Sequence, residues 1–503
     1  MAQKKKEEVP SNYSVLARIN QQASSVEVVL AEWTAPHRRP RILHSAMDST
    51  PPPSALSFHN SIPGRHRPVV AREFVMLLLL LGLSASGFGA TAVYGGGGGV
   101  GFVRRNGTQF VVDAAGGGRK PLEGINGFNA YWLMYKASFP EERWKVRAAF
   151  RDAAAHGLTV VRTWAFRDGG FRPLQASPGV YNEDVFQGLD YVISEANKYK
   201  IRLILSLVNN FDSFGGRRQY IEWAREAGHC LSSDDDFYTG NITKDYYKNH
   251  VKAILTRVNI INGLSYKDDP AIFAWELINE PRCVSDLSGI TLQGWIEEMA
   301  EYVKSIDDNH MLEVGLEGFY GQSTPNRKKF NLIYDMGTDF ISNNLVKGID
   351  FATVHVYPDE WMPWSTNQTQ MAFLDGWLRS HIADADAVLS MPLLVSEFGK
   401  KHSPASSSSS NGRRRSRRNA VGDERQSVYA SVYDAVYASA SGGGSCRGGL
   451  FWQLLLGEEA MDDMRDGYEV VFSESPFLEH LIDMQSRRLN NLSDYRPSLI
   501  DSY

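Results

Sequence analysis

"FAWELINEPR", residues 273–282, reads as a strand interior that turns polar at its end. Phe273, Ala274, Trp275, Leu277 and Ile278 form a run that other layers can cover on both faces, as they cover the strands of a parallel sheet. Asn279, Glu280, Pro281 and Arg282 then mark where that cover stops. Two readings are open at this point. One is a plain strand exit, with Pro281 ending the ladder and Glu280 solvated. The other is a carboxylate mounted where rigid backbone meets a pocket.

The neighbouring sequence repeats the pattern. Short apolar runs recur at "INGFNAYWLM" near 125, "LTVVRTWAF" near 158, "IRLILSLVN" near 201, "AIFAWELINE" near 271, "MLEVGLEG" near 311, "DFATVHVYP" near 350, "PLLVSEFG" near 392 and "GGLFWQLLL" near 448. Helical stretches separate them, the signature of parallel strands joined by crossovers. In "PEERWKVRAAFRDAAAHG", Pro140 opens a helix, acidic residues occupy its first turn, Trp144, Val146, Ala149, Phe150 and Ala153 supply the apolar set, and Gly157 ends it. "EDVFQGLDYVISEANKYK" places Val185, Leu189, Val192, Ile193 and Ala196 on one face. Eight strands close an α/β barrel, so the expected fold is a (β/α)8 TIM barrel forming a single catalytic domain over residues 93–503. A doubly wound sheet competes, but it would normally carry a Gly-rich phosphate turn after its first strand, which this chain lacks.

Barrel chemistry collects at the carboxyl ends of the strands. Those ends hold Arg162 and Trp164, Asn209, Asn279 with Glu280, Glu317, His355 with Tyr357, Glu397, and Trp452. Glu280 and Glu397 would face each other across a closed barrel. A carboxyl pair of this kind serves glycoside hydrolysis: one member protonates the leaving oxygen, the other attacks the anomeric carbon or activates water. The two need different environments, since one must hold a proton and the other must stay ionised. Arg162 and Tyr357 can keep Glu397 charged. Asn279 offers an amide to a sugar hydroxyl, His355 can orient a partner, and Trp452 offers a stacking face. Glu317 also ends a strand, and spacing alone does not exclude it from the pair. Metal chemistry is the rival of a different class, but no H-E-x-x-H or other clustered ligand spacing is present, so no metal and no cofactor is expected.

Composition limits the alternatives. The 503 residues are 43% hydrophobic and 11% aromatic, enough for a large core and inconsistent with a disordered chain. A net charge of -5 gives no electrostatic case for nucleic acid. Three cysteines, Cys230, Cys283 and Cys446, exclude a disulfide-dense scaffold. Cys230 and Cys283 fall in loops after neighbouring strands, so one bridge between them is a possible pairing.

The ends carry other signals. "FVMLLLLLGL" (74–83) follows a basic stretch and precedes small residues, including Ala90 and Ala92, as in a secretory signal peptide. It is short for a membrane span, so residues 74–92 are expected to be a cleaved signal and residues 1–73 a disordered extension upstream of the start used in the cell. A type II membrane anchor is the alternative. Sequons at Asn106, Asn241, Asn367 and Asn491 accord with a secreted glycoprotein without stable membrane association. "KKHSPASSSSSNGRRRSRRNA" (400–420) has almost no apolar residues and is expected to be a solvated, disordered insertion, with an acidic wall polymer or nucleic acid as the alternative partners of its Arg cluster.

The combination "WELINEP", "VSEFG", "VRTWAF", "VHVYP" and "LFWQLL" resembles glycoside hydrolase family five, in particular its plant-type endo-β-1,4-mannanases. The likeness also takes in "NNFDSFGGRRQYIEWA", "LEVGLEGFYG" and "RDGYEVV" and covers nearly all of the chain after the signal-like segment. It implies that Glu280 is the acid/base and Glu397 the nucleophile, and that Glu317, in "GLEG", is neither. Arg162, Asn279, His355, Tyr357 and Trp452 become supporting or substrate-binding positions, Asn209 lies in the corresponding third-strand region, and Trp164, at the same strand end as Arg162, is read as substrate-binding from its place. The implied function is a secreted, retaining, cofactor-free endo-hydrolase of β-mannan in the cell wall, expected to be a monomer. A β-1,4-glucanase of the same fold and an inactive polysaccharide-binding barrel are the alternatives.

Overall fold

In the computed structural model, residues 101–492 are described, apart from residues 115, 123, 333, 403–413 and 458. The signal-like segment and the extension before it lie outside these residues. Eight parallel strands form one sheet: β1 (Ile125–Asn129), β2 (Val160–Trp164), β3 (Arg202–Ser206), β4 (Ile272–Glu276), β5 (Met311–Glu313), β6 (Ala352–Val356), β7 (Leu393–Phe398) and β8 (Cys446–Phe451). Their spatial order is β5-β4-β3-β2-β1-β8-β7-β6. The remaining seam, between β5 and β6, is bridged by Asp350 N–H to Leu312 O (2.8 Å) and His355 N–H to Glu317 O (2.9 Å). The sheet is therefore a nearly closed barrel, as the eight apolar runs predict.

Helices cover the outside. Helix Arg143–Ala155 buries Val146, Ala149, Phe150 and Ala153, whereas Trp144 faces solvent. Helix Glu183–Tyr199 buries its expected face, and the Asn182 side chain caps it by accepting from Asp184 N–H. Between β5 and β6 the crossover shrinks to a 3-10 turn and helix Phe340–Asn344.

Three departures from the sequence reading have local causes. The fifth strand stops at Glu313 because Gly315 (φ 95°) and Gly318 (φ 111°) adopt left-handed backbone. A Cβ on Gly315 would lie 1.9 Å from Ile278 O. The stretch 400–420 is not a loop throughout. Buried Lys400 donates to Asn367 and Gln370, and helix Arg414–Ser441 already begins inside the stretch; residues 403–413 fall outside the description. Buried Val428, Tyr429, Val432, Tyr433 and Val436 anchor that helix to the barrel. Finally, Cys230 and Cys283 form no bridge: all three cysteines are free, Cys230 exposed and Cys283 buried.

A small antiparallel sheet (Val103–Asn106, Gln109–Asp113, Arg119–Pro121), not expected from the sequence, closes the bottom of the barrel. Its Phe110 meets Phe273 and Phe351 edge-on at 5.2 and 5.4 Å. Val160, Ile204, Ala274, Met311 and Leu394 join this apolar floor. Because strand side chains alternate, the residues two positions further along share the same interior face. These are Arg162, Ser206, Glu276, Glu313 and Ser396, all buried. The barrel interior thus changes from an apolar floor to a polar layer directly under the strand ends.

Candidate active site

Arg162 organises the polar layer. Its Nε–H and one Nη2–H donate to Glu276 (2.5 and 2.7 Å), the other Nη2–H to Asn279 Oδ1 (2.6 Å), and the Nη1 group to Asn129 Oδ1 (3.1 Å) and Glu397 Oε1 (2.5 Å). All five guanidinium hydrogens are used, the fork geometry that suits Arg to buried carboxylates. Burial opposes its charge, but Glu276 and Glu397 hold it protonated above the usual arginine value.

Glu397, the penultimate residue of β7, receives a second donor on its other oxygen, the Tyr357 hydroxyl at 2.6 Å. Burial pushes its carboxyl above the usual range, while His355, Arg162 and Tyr357 pull it back. Burial and the Glu397 charge in turn hold the Tyr357 phenol well above its ordinary value.

Glu280 lies four residues beyond β4, in left-handed backbone at φ 50°. Such a conformation costs a non-glycine residue roughly 1 kcal/mol or more and is typical of positions fixed for function. Two backbone bonds hold it: Glu280 N–H to Gly315 O (2.9 Å) and Asn279 N–H to Val208 O (2.9 Å). The Glu280 carboxyl makes no two-point ion pair of the kind Arg162 gives Glu276. Burial pushes it up to about 7, against the opposing pull of Arg282 and Arg162. His355 Nδ1 lies 2.6 Å from Glu280 Oε1 and 3.6 Å from Glu397 Oε2. One oxygen of each glutamate and this nitrogen fall within 4.8 Å of one another.

Among the described residues that trio has the spacing of a cation site. Its donors are already engaged, since Nδ1 is at hydrogen-bond distance from Glu280 and Glu397 is bonded to Arg162 and Tyr357. Burial also lowers the His355 pKa, which favours the neutral ring, and its Nδ1 is a hydrogen-bond partner of Glu280 beside Glu397.

The remaining expected residues also converge. Trp164 packs under the Arg162 guanidinium at 4.9 Å and lines the cleft. Asn209 Oδ1 accepts from the Asn279 amide (2.9 Å) and its own amide donates to Ser213, so it orients Asn279. Trp452 lies nearly parallel to Tyr131 (centroids 5.6 Å, 14°), and its indole N–H donates to Asp466 at 2.6 Å. Glu317 is engaged elsewhere, in a two-point pair with Arg282 at 2.6 and 2.8 Å. These groups line a cleft of about 510 Å³ whose walls include Phe211, Phe214, Trp361 and Tyr468.

Sequence reasoning does not single out Asn129, Glu276, Glu313, Arg282, Tyr131 or Asp466. Glu276 stands inside the opening stretch, where its place at alternate spacing from Ala274 marks an inward position. Arg282 directly follows Pro281. Asp466 and Tyr131 are brought in only by tertiary structure.

Comparison with known proteins follows this geometry. Residues 100–456 match the model of the family described as GH family 5 beta-mannosidase-like. Mannan endo-1,4-beta-mannosidase 1 of Oryza sativa subsp. japonica is 54% identical over 433 residues, covering 86% of this chain and 94% of the relative. Mannan endo-1,4-beta-mannosidase 7 of Arabidopsis thaliana is 50% identical over 421 residues, covering 83% and 91%. The endo-1,4-beta-D-mannanase of Thermotoga petrophila RKU-1 superposes with a TM-score of 0.60 at 31% identity, over 72% of this chain and 99% of that one. The endo-1,4-beta-mannanase of Rhizomucor miehei gives a TM-score of 0.60 at 29% identity, over 78% and 99%. A two-glutamate barrel with this sequence relationship has one placement: the chain belongs to the β-mannosidase-like branch of glycoside hydrolase family 5.

Proposed function

We propose that this protein is a retaining endo-hydrolase of β-1,4-mannan backbones, with Glu397 as nucleophile and Glu280 as acid/base. The observation that carries the reading is the carboxyl pair itself: oxygens within 4.8 Å, one carboxyl bonded to Arg162 and Tyr357, the other without those donors and pushed up to about 7. That spacing accords with the roughly 5 to 5.5 Å of retaining enzymes and not with the 6.5 Å or more that admits a water. Glu397 attacks the anomeric carbon while Glu280 gives its proton to the departing oxygen. Glu280 then takes a proton from the water that releases the sugar. Asn279, held by Arg162 and Asn209, retains one amide hydrogen for a sugar hydroxyl, and Trp452 supplies an apolar face for the ring. The plant relatives, both mannan endo-1,4-beta-mannosidases, support mannan as the substrate. The open cleft suits cleavage within a chain.

Product analysis tests the substrate. Linear mannan should yield short manno-oligosaccharides from early in the reaction, and cellulose should yield no more than about a hundredth of that rate, the discrimination that groups poised for one hydroxyl geometry can supply. Equal rates on both would favour the glucanase reading.

We further propose secretion to the cell wall. The signal-like segment supports this, as do the exposed sequon residues Asn106, Asn241 and Asn491; Asn367 is instead partly covered and bonded to Lys400. Extracellular enzyme should begin close to Val93. Recovery of active extracellular protein beginning "MAQKKKEEVP" would contradict it.

A further inference from the structure

Below the proposed nucleophile lies a second pair of glutamates, with no part in the steps above. Glu276 and Glu313 are direct partners in the β4–β5 register and both are completely buried. Adjacent strands run about 4.8 Å apart, so the two inward side chains lie against each other. Glu276 is fully committed on one side, where Arg162 grips both of its oxygens. Glu313 Oε2 accepts from Gly315 N–H (2.5 Å) and the Thr353 hydroxyl (3.0 Å). Glu313 Oε1 is buried, and no donor reaches it among the described residues.

Two buried carboxylates in contact would repel strongly, and a buried acceptor left without a donor is costly. A single proton on Glu313 resolves both problems. Its hydroxyl then donates to Glu276, which remains the anion that Arg162 requires. We infer that Glu276 is a positioning residue for Arg162, and that Glu313 is its neutral hydrogen-bond donor. The inference rests on the role given above to Glu397, because the other end of Arg162 holds that carboxylate. The electrostatics agree: burial and then the neighbouring Glu276 charge push Glu313 well above the usual carboxylate range, whereas for Glu276 burial is overcome by the Arg162 charge together with the hydrogen bonds from Arg162, Glu313 and Ser206, which hold it below.

The arrangement explains a feature of the fold. Arg162 could swing toward any of its acceptors, but the two-point grip of Glu276 fixes the guanidinium plane. That plane aims Nη1 at Glu397 and Nη2 at Asn279. The titratable or charged groups around Glu276 are Arg162, Glu313, His355, Tyr247 and Glu280.

The test compares Glu276→Gln, Glu276→Asp and Glu313→Gln on linear mannan. Glu276→Gln should lower kcat about a hundredfold, the effect of a misplaced reacting group, with KM within about threefold. It should also move the acidic limb of kcat downward in pH, because Glu397 then meets an Arg162 cation that no neighbouring anion offsets. Glu276→Asp should restore the acidic limb but not kcat, since the charge returns without its reach. Glu313→Gln should keep kcat within about threefold of the parent, because an amide N–H replaces the acid O–H as donor. Independently of activity, the infrared difference between parent and Glu313→Gln, taken above the range where Glu280 titrates, should show a protonated-carboxyl C=O stretch. Absence of that band would overturn the inference, as would Glu313→Gln losing as much kcat as Glu276→Gln at an unchanged melting temperature. Because the band does not depend on turnover, failure of the Glu397 assignment would leave it in place and be recognised separately.

Discussion

Replacing Glu397 by Ala is expected to lower turnover of linear mannan by about ten-thousand-fold or more, the scale on which loss of a nucleophile is felt. An activated aryl mannoside should lose as much, because a good leaving group does not substitute for the missing attack. The loss should leave KM nearly unchanged, since Asn279, still held by Arg162, and Trp452 remain in the cleft wall. Small anions enter the space left by the side chain. Azide should restore part of the rate and give the α-mannosyl azide, the product of a single displacement. A β-azide from this variant would show that a covalent intermediate forms without Glu397.

Replacing Glu280 by Ala should divide the two substrates. Mannan, whose leaving alkoxide needs a proton, should slow by about a hundred- to ten-thousand-fold, the usual contribution of a positioned general acid. The activated aryl mannoside needs little protonation and should still form the intermediate, whose release then limits turnover. Azide should speed that release and give the β-mannosyl azide, because it attacks from the face that water uses. The pH profile belongs to the same prediction. Glu280 must be protonated to act and its carboxyl is pushed up to about 7, so kcat/KM of the parent enzyme on mannan should fall as pH rises through about 7. In Glu280→Ala that basic limb should disappear. A limb near the ordinary carboxylate value, or one that survives the substitution, would reassign the acid. Glu317→Ala should keep the limb, because Glu317 is held in a two-point pair by Arg282.

Period and position account for what could be read from the chain. The eight runs are visible because each strand is covered on both faces, and their polar tips are visible because cover ends there. Glu280, Glu397, Arg162, His355 and Tyr357 all stand near such tips; the fold brings Glu280, Glu397 and Tyr357 into one cleft wall, with Arg162 and His355 buried against the two glutamates. Asn209 shows a limit of this logic: it is at a tip, yet its amide serves Asn279 and Ser213. Glu276 and Glu313 escape notice for the opposite reason. Each stands within a run that reads as core, and only the pairing of β4 with β5 brings the two together. The small sheet at the barrel floor is likewise silent, since its strands are three to five residues long and one is wholly exposed. The basic stretch before Ser441 misleads because composition is dominated by Ser and Arg, whereas the helix is set by the buried Tyr and Val residues that follow.

Trapping the intermediate tests the retaining assignment most directly. A mannobiosyl fluoride bearing fluorine at C2 keeps a good leaving group while slowing release of the glycosyl-enzyme, so the covalent species should accumulate. Peptide mapping of the labelled enzyme is expected to place one glycosyl group on the peptide that carries Glu397, with none in Glu397→Ala. An enzyme that turns over mannan yet forms no adduct, or a label found on Glu280 or Glu317, would contradict the central claim.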